Sequence, residues 1–234
     1  MITANIFDSK RFSINDGEGI RTTLFLKGCP LRCAWCQNPE GIFPEIRVWY
    51  AKNICAECRA CVTACKAGAI GWDERGARID QNACTRCGDC VKACPTGAMR
   101  FDAREMSVDE ALREIEQDEA FYGADGGVTL SGGECMMSPE FSLAVLNGCR
   151  ERGIGTNIET CLYAKPEIVE AFCAATDQIF ADLKLIDPLR HKAATGADNA
   201  LILENFRRLA AKKANLVVRV PLIPGFTADE ENIA

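Results

Sequence analysis

Histidine occurs once in these 234 residues, at His191. One imidazole leaves little room for zinc fingers with paired histidines, for His-based nucleophile triads or for His general bases. Long apolar runs are missing too. None approaches the roughly eighteen residues of a membrane span, and no signal-peptide core follows the first methionine. Lys and Arg nowhere gather into a basic stripe, and the net charge of −6 argues against a nucleic-acid surface. The chain therefore reads as cytosolic, binding neither nucleic acid nor membrane. Its length suits one large domain, or a domain carrying a smaller one. Cysteine is the residue in excess: there are 15, most in three clusters within the first 94 positions. In an oxidising compartment these would be disulfides, but C-x2-C spacing in a cytosolic chain points to metal.

The most specific pattern is a duplication. Cys55, Cys58, Cys61 and Cys65 follow C-x2-C-x2-C-x3-C, and Cys84, Cys87, Cys90 and Cys94 repeat it, with Pro95 behind. This is the two-cluster ferredoxin pattern, in which three cysteines of one run and the last of the other bind each 4Fe–4S cluster. On that pattern Cys55, Cys58, Cys61 and Cys94 hold one cluster, and Cys84, Cys87, Cys90 and Cys65 the other. A pair of four-cysteine zinc sites is the alternative. Residues 53–98 read as short loops with little capacity for a core of their own.

Outside this segment the texture is strand–helix alternation. IRTTLFLK (20–27) is the first strand, followed by GVTLS (127–131), IGTNIE (154–159), QIFADLK (178–184) and NLVVRVPL (215–222). SVDE (107–110) is a capping box predicting a helix to about Tyr122. Ser138 with Pro139 predicts another, stopping at Gly153. Further helices are expected around 165–175 and 198–212. Five strands alternating with helices imply a parallel sheet with right-handed crossovers.

The first strand runs into KGCPLRCAWCQNPEG (27–41), where Cys29, Cys33 and Cys36 stand at C-x3-C-x2-C. In a parallel sheet this loop rises from the face that carries the chemistry. Three thiolates can hold three irons of a cubane and leave the fourth open, as a catalytic zinc keeps one position for substrate. A three-cysteine zinc site or a chance grouping is the bland alternative.

The spacing of Cys29, Cys33 and Cys36, with Trp35 before the third cysteine, resembles the radical S-adenosylmethionine (SAM) superfamily. DGEGIR (16–21), SGGE (131–134), IET (158–160) and DLK (182–184) are similar, in order, to motifs of its glycyl-radical-enzyme activating enzymes. The eight-cysteine insert matches their larger type. The resemblance covers nearly the whole chain.

The resemblance implies a partial (β/α) radical-SAM barrel formed by residues 1–48 and 103–234, interrupted by a ferredoxin-like two-cluster insert at 49–102. It implies three 4Fe–4S clusters, with SAM on the open iron of the Cys29, Cys33, Cys36 cluster. SAM contacts are expected from Trp35, Gly132, Gly133, Glu134, Glu159, Thr160, Asp182, Lys184 and Arg219. Among these, Glu134 suits the SAM ammonium and Lys184 its carboxylate. Arg219 also suits a salt-bridged structural role. A monovalent cation is expected at Glu159, Thr160 and Asp182, although Glu159 stands where the family has Asp. The implied reaction is reductive cleavage of SAM to methionine and a 5′-deoxyadenosyl radical, which takes hydrogen from a glycine Cα. The implied partners are a glycyl radical enzyme and an electron donor such as flavodoxin or ferredoxin.

Several residues depart from that pattern. Cys135 replaces the Pro often found after SGGE and is expected to be a buried hydrophobe; Cys149, Cys161 and Cys173 are expected in the core. Glu18 stands where Pro is usual, leaving Asp16 a candidate contact to the glycine-bearing peptide. His191 is expected at the surface or packed in a loop. Relatives continue past a segment like Pro224–Phe226 into a sixth strand, so a chain ending at Ala234 is expected to be truncated or closed by another element. Two other readings are a radical SAM enzyme acting on a small molecule and a ferredoxin-type electron-transfer protein. The first gives no reason for DGEGIR, and the second leaves C-x3-C-x2-C, SGGE and DLK unexplained.

Overall fold

The computed structural model describes residues 1–233. The chain forms two compact units, one from Met1–Pro44 and Glu105 onward, the other from Glu45–Arg104. In chain order the first unit begins with β1 (Thr3–Ser13) and β2 (Arg21–Leu26). The second contains β3 (Val48–Tyr50), α1 (Ala60–Ala64), β4 (Ile70–Asp73), β5 (Gly76–Ile79), α2 (Asp89–Lys92) and β6 (Met99–Phe101). The first unit then resumes with β7 (Arg104–Ser107), α3 (Val108–Glu116), α4 (Glu119–Tyr122), β8 (Gly127–Gly132) and α5 (Pro139–Glu151). It continues through β9 (Gly155–Thr160), α6 (Pro166–Ala175), β10 (Gln178–Asp182) and α7 (Pro188–Thr195). Last come α8 (Ala200–Ala211), β11 (Leu216–Arg219) and α9 (Glu230–Ile233).

The sheet of the first unit has the order β11-β10-β9-β8-β2-β1-β7. The five expected strands are its parallel part, from β2 through β8, β9 and β10 to β11. Register pairs Leu26 with Gly132, Thr160 with Ala181, and Asp182 with Arg219, so the carboxyl ends of all five open at one level. The core lies between this sheet and its helices, with Leu24, Leu130 and Ile158 of the strands against Phe141, Val145, Leu146 and Phe172.

Four features differ from the sequence expectation. β1 pairs antiparallel with β2, and its mixed inside-and-outside pattern lacks the continuous apolar run of a buried parallel strand. The helix opened by Ser107 has both halves of its capping box, but α3 ends at Glu116 and α4 is a separate turn. Asp118 between them is fully buried, and its carboxylate accepts from Thr22 and Arg11. Helix α7 was not expected because its eight residues carry no long apolar period, although Asp187 caps it and Gly196 closes it at φ +85°. Ser138 precedes α5 without making a side-chain cap bond, so Pro139 at the first helical position sets that start.

The second unit has a small core after all, from Val48, Ile70 and Met99 with the sulfurs of Cys61 and Cys90. Val48 and Met99 lie just outside the cysteine-dense stretch, on the paired strands β3 and β6. Among the described residues, no helix is long and apolar enough to cross a membrane.

Candidate functional site

Each of the five parallel strands delivers residues to one cavity of about 270 Å³ at the carboxyl end of the sheet. After β2 come Cys29, Cys33, Trp35 and Cys36; β8 supplies Ser131, Gly132 and Gly133; β9 supplies Glu159, Thr160 and Cys161. Asp182 and Lys184 arrive from β10, Arg219 and Pro221 from β11. Among Cys29, Cys33, Cys36 and the expected SAM contacts, Glu134 alone does not line this space.

The loop carrying the three cysteines is laced to its surroundings by main-chain bonds. Gly28 N–H donates to Gly41 at 2.8 Å and Cys29 N–H to Ile42 at 3.0 Å. Gly133 N–H reaches the Leu26 carbonyl and Glu134 N–H the Gly28 carbonyl, both at 2.8 Å. At Gly133 a side chain is impossible without movement, since a Cβ would lie 2.4 Å from the carbonyl oxygens of Gly28 and Gly41. The far side of the loop rests on α7, with Arg32 and Ala34 N–H donating to Thr195 (2.7 Å) and Ala194 (3.0 Å). The last carbonyls of a helix lack partners within it, and here the loop supplies them. Trp35 packs on Phe226 with ring centroids 5.1 Å apart.

Glu134 is buried and committed to structure. One carboxylate oxygen accepts from Thr160 Oγ1 at 2.8 Å and Met136 N–H at 3.2 Å, the other from Cys161 N–H at 2.7 Å. It ties the end of β8 to the end of β9 from beneath the cavity.

The charged groups form a chain across the strand ends. Ser131 Oγ donates to Glu159 at 2.5 Å, and Arg219 reaches Glu159 at 2.5 Å and Asp182 at 3.0 Å. Lys184 pairs with Asp182 at 3.1 Å. Burial disfavours the Lys184 ammonium, but Asp182 outweighs it and holds its pKa above the ordinary value. Arg219 is likewise held up against burial by Asp182 and Glu159. Two cations thus balance the two carboxylates assigned to a monovalent cation, and Thr160 spends its hydroxyl on Glu134. Arg219 is both salt-bridged and open to the cavity.

Burial pushes the Cys29 thiol up to about 12 and raises that of Cys33, with Lys184 drawing the latter down. Cys161, expected in the core, is 7% exposed and lies beside Cys29 at the cavity wall. Burial and Glu134 push its thiol well up, so it stays neutral. Only its tertiary position reveals it. Cys135 and Cys149 are fully buried as expected, while Cys173 packs partly buried against the core.

His191 is 1% exposed, which removes the surface alternative. Its Nδ1 lies 2.6 Å from the Ala197 carbonyl and 3.1 Å from Thr195 Oγ1, bracing the end of α7 that meets the cysteine loop. Asp16 lies at the opposite end of the sheet, where its carboxylate accepts from Ser13 at 2.6 Å and Thr23 at 2.8 Å.

In the second unit the backbone repeats along with the sequence. Glu57 and Arg59 flank Cys58 at φ +54° and +58°, and Arg86 and Gly88 flank Cys87 at +58° and +78°. Successive N–H groups around such left-handed positions make anion-binding concavities. Cys61 has Cys55 and Cys94 as electrostatic neighbours, and Cys90 has Cys84 and Cys65. Cys65, Cys84, Cys87 and Cys90 also line one small cavity with Val48, Ile70 and Ile79. Among the described residues no three Cys, His, Asp or Glu side chains gather as a single-ion site requires.

Comparison with known proteins agrees with this geometry. The model of the Radical SAM superfamily matches residues 23–234. The chain is 42% identical to the choline trimethylamine-lyase activating enzyme of Oleidesulfovibrio alaskensis, over 98% of this chain and 76% of that protein. It is 44% identical to the (2S)-3-sulfopropanediol sulfolyase activating enzyme of Bilophila wadsworthia, covering 99% and 78% of the two. Identity is again 44% to the trans-4-hydroxy-L-proline dehydratase activating enzyme of Clostridioides difficile, covering 97% and 76%. The chain belongs to the radical SAM superfamily and, within it, to the activating enzymes of glycyl radical enzymes.

Proposed function

We propose that this protein installs a radical on one glycine of a partner glycyl radical enzyme, at the expense of SAM and one electron from a flavodoxin or ferredoxin in the cytoplasm. The observation that carries this reading is the joint placement of Cys29, Cys33 and Cys36 with charged groups from three further strands around one cavity. Cys29, Cys33 and Cys36 would hold a 4Fe–4S cluster, which once reduced would supply the electron for cleaving SAM to methionine and a 5′-deoxyadenosyl radical able to take hydrogen from the glycine Cα.

The residues fit that pair. Cys29, Cys33 and Cys36 are three soft donors without a fourth protein ligand in their motif. Gly132 and Gly133 let SAM approach the backbone. Lys184 suits the SAM carboxylate, while Glu159 and Asp182 suit its ammonium and sulfonium. Thr160 forms the wall between them, Arg219 pairs with both carboxylates, and Trp35 offers an aromatic face. Glu134 acts from beneath by holding Thr160 and the Cys161 amide. Arg219 and Lys184 supply the charge expected of a monovalent cation, so none is included.

The second unit is proposed as a ferredoxin-like insert with two more 4Fe–4S clusters, one on Cys55, Cys58, Cys61 and Cys94, the other on Cys84, Cys87, Cys90 and Cys65. The crossed neighbours of Cys61 and Cys90 support this pairing.

Anaerobic reconstitution with iron, sulfide, dithionite and SAM tests the reading. Formation of 5′-deoxyadenosine that is lost in Cys33→Ala supports it; equal formation in that variant refutes it. A glycine-centred EPR doublet on an added glycyl radical enzyme identifies the partner.

A further inference from the structure

The two halves of the insert form the same turn after their last cysteine and differ there at three positions, one of which puts a hydroxyl beside the sulfur. After Cys65 the chain reads Lys-Ala-Gly-Ala-Ile, and after Cys94 it reads Pro-Thr-Gly-Ala-Met. Both form the same turn. Gly68 and Gly97 have φ +62° and +69°, and their N–H groups return to the carbonyls of Cys65 at 3.1 Å and Cys94 at 3.4 Å. The cysteines also donate alike, Cys65 N–H to Val62 at 3.2 Å and Cys94 N–H to Val91 at 3.3 Å. Thr96 therefore occupies the place of Ala67. Its hydroxyl lies 3.7 Å from the Cys94 sulfur. A ligating thiolate has no proton, so in that state the hydroxyl is the donor.

Two main-chain donors face the same quartet, Glu57 N–H to Cys55 at 3.3 Å and Met99 N–H to Cys94 at 3.4 Å. Exposure does not separate the two sites, since each quartet has one exposed, one buried and two half-buried cysteines. Donors to the sulfurs stabilise the more negative, reduced state and so raise the potential.

We infer that the insert holds two clusters of unequal potential, and that Thr96 places the one on Cys55, Cys58, Cys61 and Cys94 above its twin. Thr96 is a positioning residue for electron density, touching a ligand and no substrate. The inference rests on the two-cluster reading of the insert.

The test uses the full chain with Cys29→Ala, Cys33→Ala and Cys36→Ala, which leaves only the insert sites. Iron and sulfide are counted first, and the loaded protein is then titrated by EPR under anaerobic conditions. Two separate transitions are expected. Thr96→Ala should lower the upper one and leave the other, Ala67→Thr should raise the lower one, and Thr96→Ser should match the parent. Thr96 and Ala67 are both exposed, so neither change disturbs packing. Loaded protein with coincident transitions, or with potentials unmoved by Thr96→Ala, overturns the inference alone. Protein that binds no iron overturns the two-cluster reading and the inference with it.

Discussion

Arg219 and Glu159 meet at 2.5 Å across the strand that separates them, β10, and the same guanidinium also takes Asp182. Arg219→Met leaves two half-buried carboxylates with only Lys184 to balance them. A lost hydrogen bond to a charged group is worth about 1.5–3 kcal/mol. SAM should bind roughly tenfold or more weakly. The measurement is the KM for SAM in uncoupled cleavage against kcat; an unchanged KM would confine Arg219 to a structural role.

Gly133→Ala should act on the cysteine loop through contact alone. The new methyl would press on the carbonyls of Gly28 and Gly41, and overpacking of this kind costs about 1–3 kcal/mol. Iron retention at the Cys29, Cys33, Cys36 site should fall, while the insert keeps its iron. Full retention at all sites would show that the loop yields freely.

Acid should weaken the pairing of Arg11 with Asp118. The guanidinium bond, opposed by burial and aided by the Thr22 hydroxyl, holds the Asp118 carboxyl below its ordinary value. Such a group adds stability that is complete above the unfolded pKa of about 3.9 and is lost as pH falls through the lower folded value. Asp118→Asn should therefore lower Tm near neutral pH, and the gap from the parent should close below about pH 4. A gap independent of pH would refute the assignment.

Arg21 is 4% exposed and forms no ion pair among the described residues; its guanidinium donates to Thr129 and to the carbonyls of Glu18, Asp125, Val128 and Gly155. Burial lowers its pKa. Arg21→Met strands several of these acceptors at the amino end of the sheet and should cost about 3 kcal/mol, since each buried unsatisfied group costs about 1–3 kcal/mol. Chemical denaturation measures the loss; an unchanged midpoint would show that water replaces the guanidinium.

Much of the molecule was legible because its signals are local. The C-x3-C-x2-C loop, the duplicated cysteine runs, the Ser107 capping box and the five apolar strands each reside within a few residues. What escaped depends on distant partners. Asp118 breaks the helix expected to reach Tyr122 because Arg11 and Thr22 claim its carboxylate from about a hundred residues away. Cys161 looks like any core cysteine until β9 brings it beside Cys29. Glu134 reads as a ligand from its place in SGGE, yet Thr160 and Cys161 hold it under the cavity.

The sequence by itself determined the chemistry on offer: thiolates at spacings suited to clusters, almost no imidazole, and parallel strands whose carboxyl ends carry the polar residues. Spacing along a chain dictates such things because it sets which side chains share a loop or a strand face. The tertiary structure alone decided how those groups divide the work. It set Arg219 between two carboxylates, turned Glu134 inward and laid the end of α7 under the cysteine loop. Those outcomes depend on which buried polar groups find each other once the strands are in register, and burial makes each unpaired one too costly to leave.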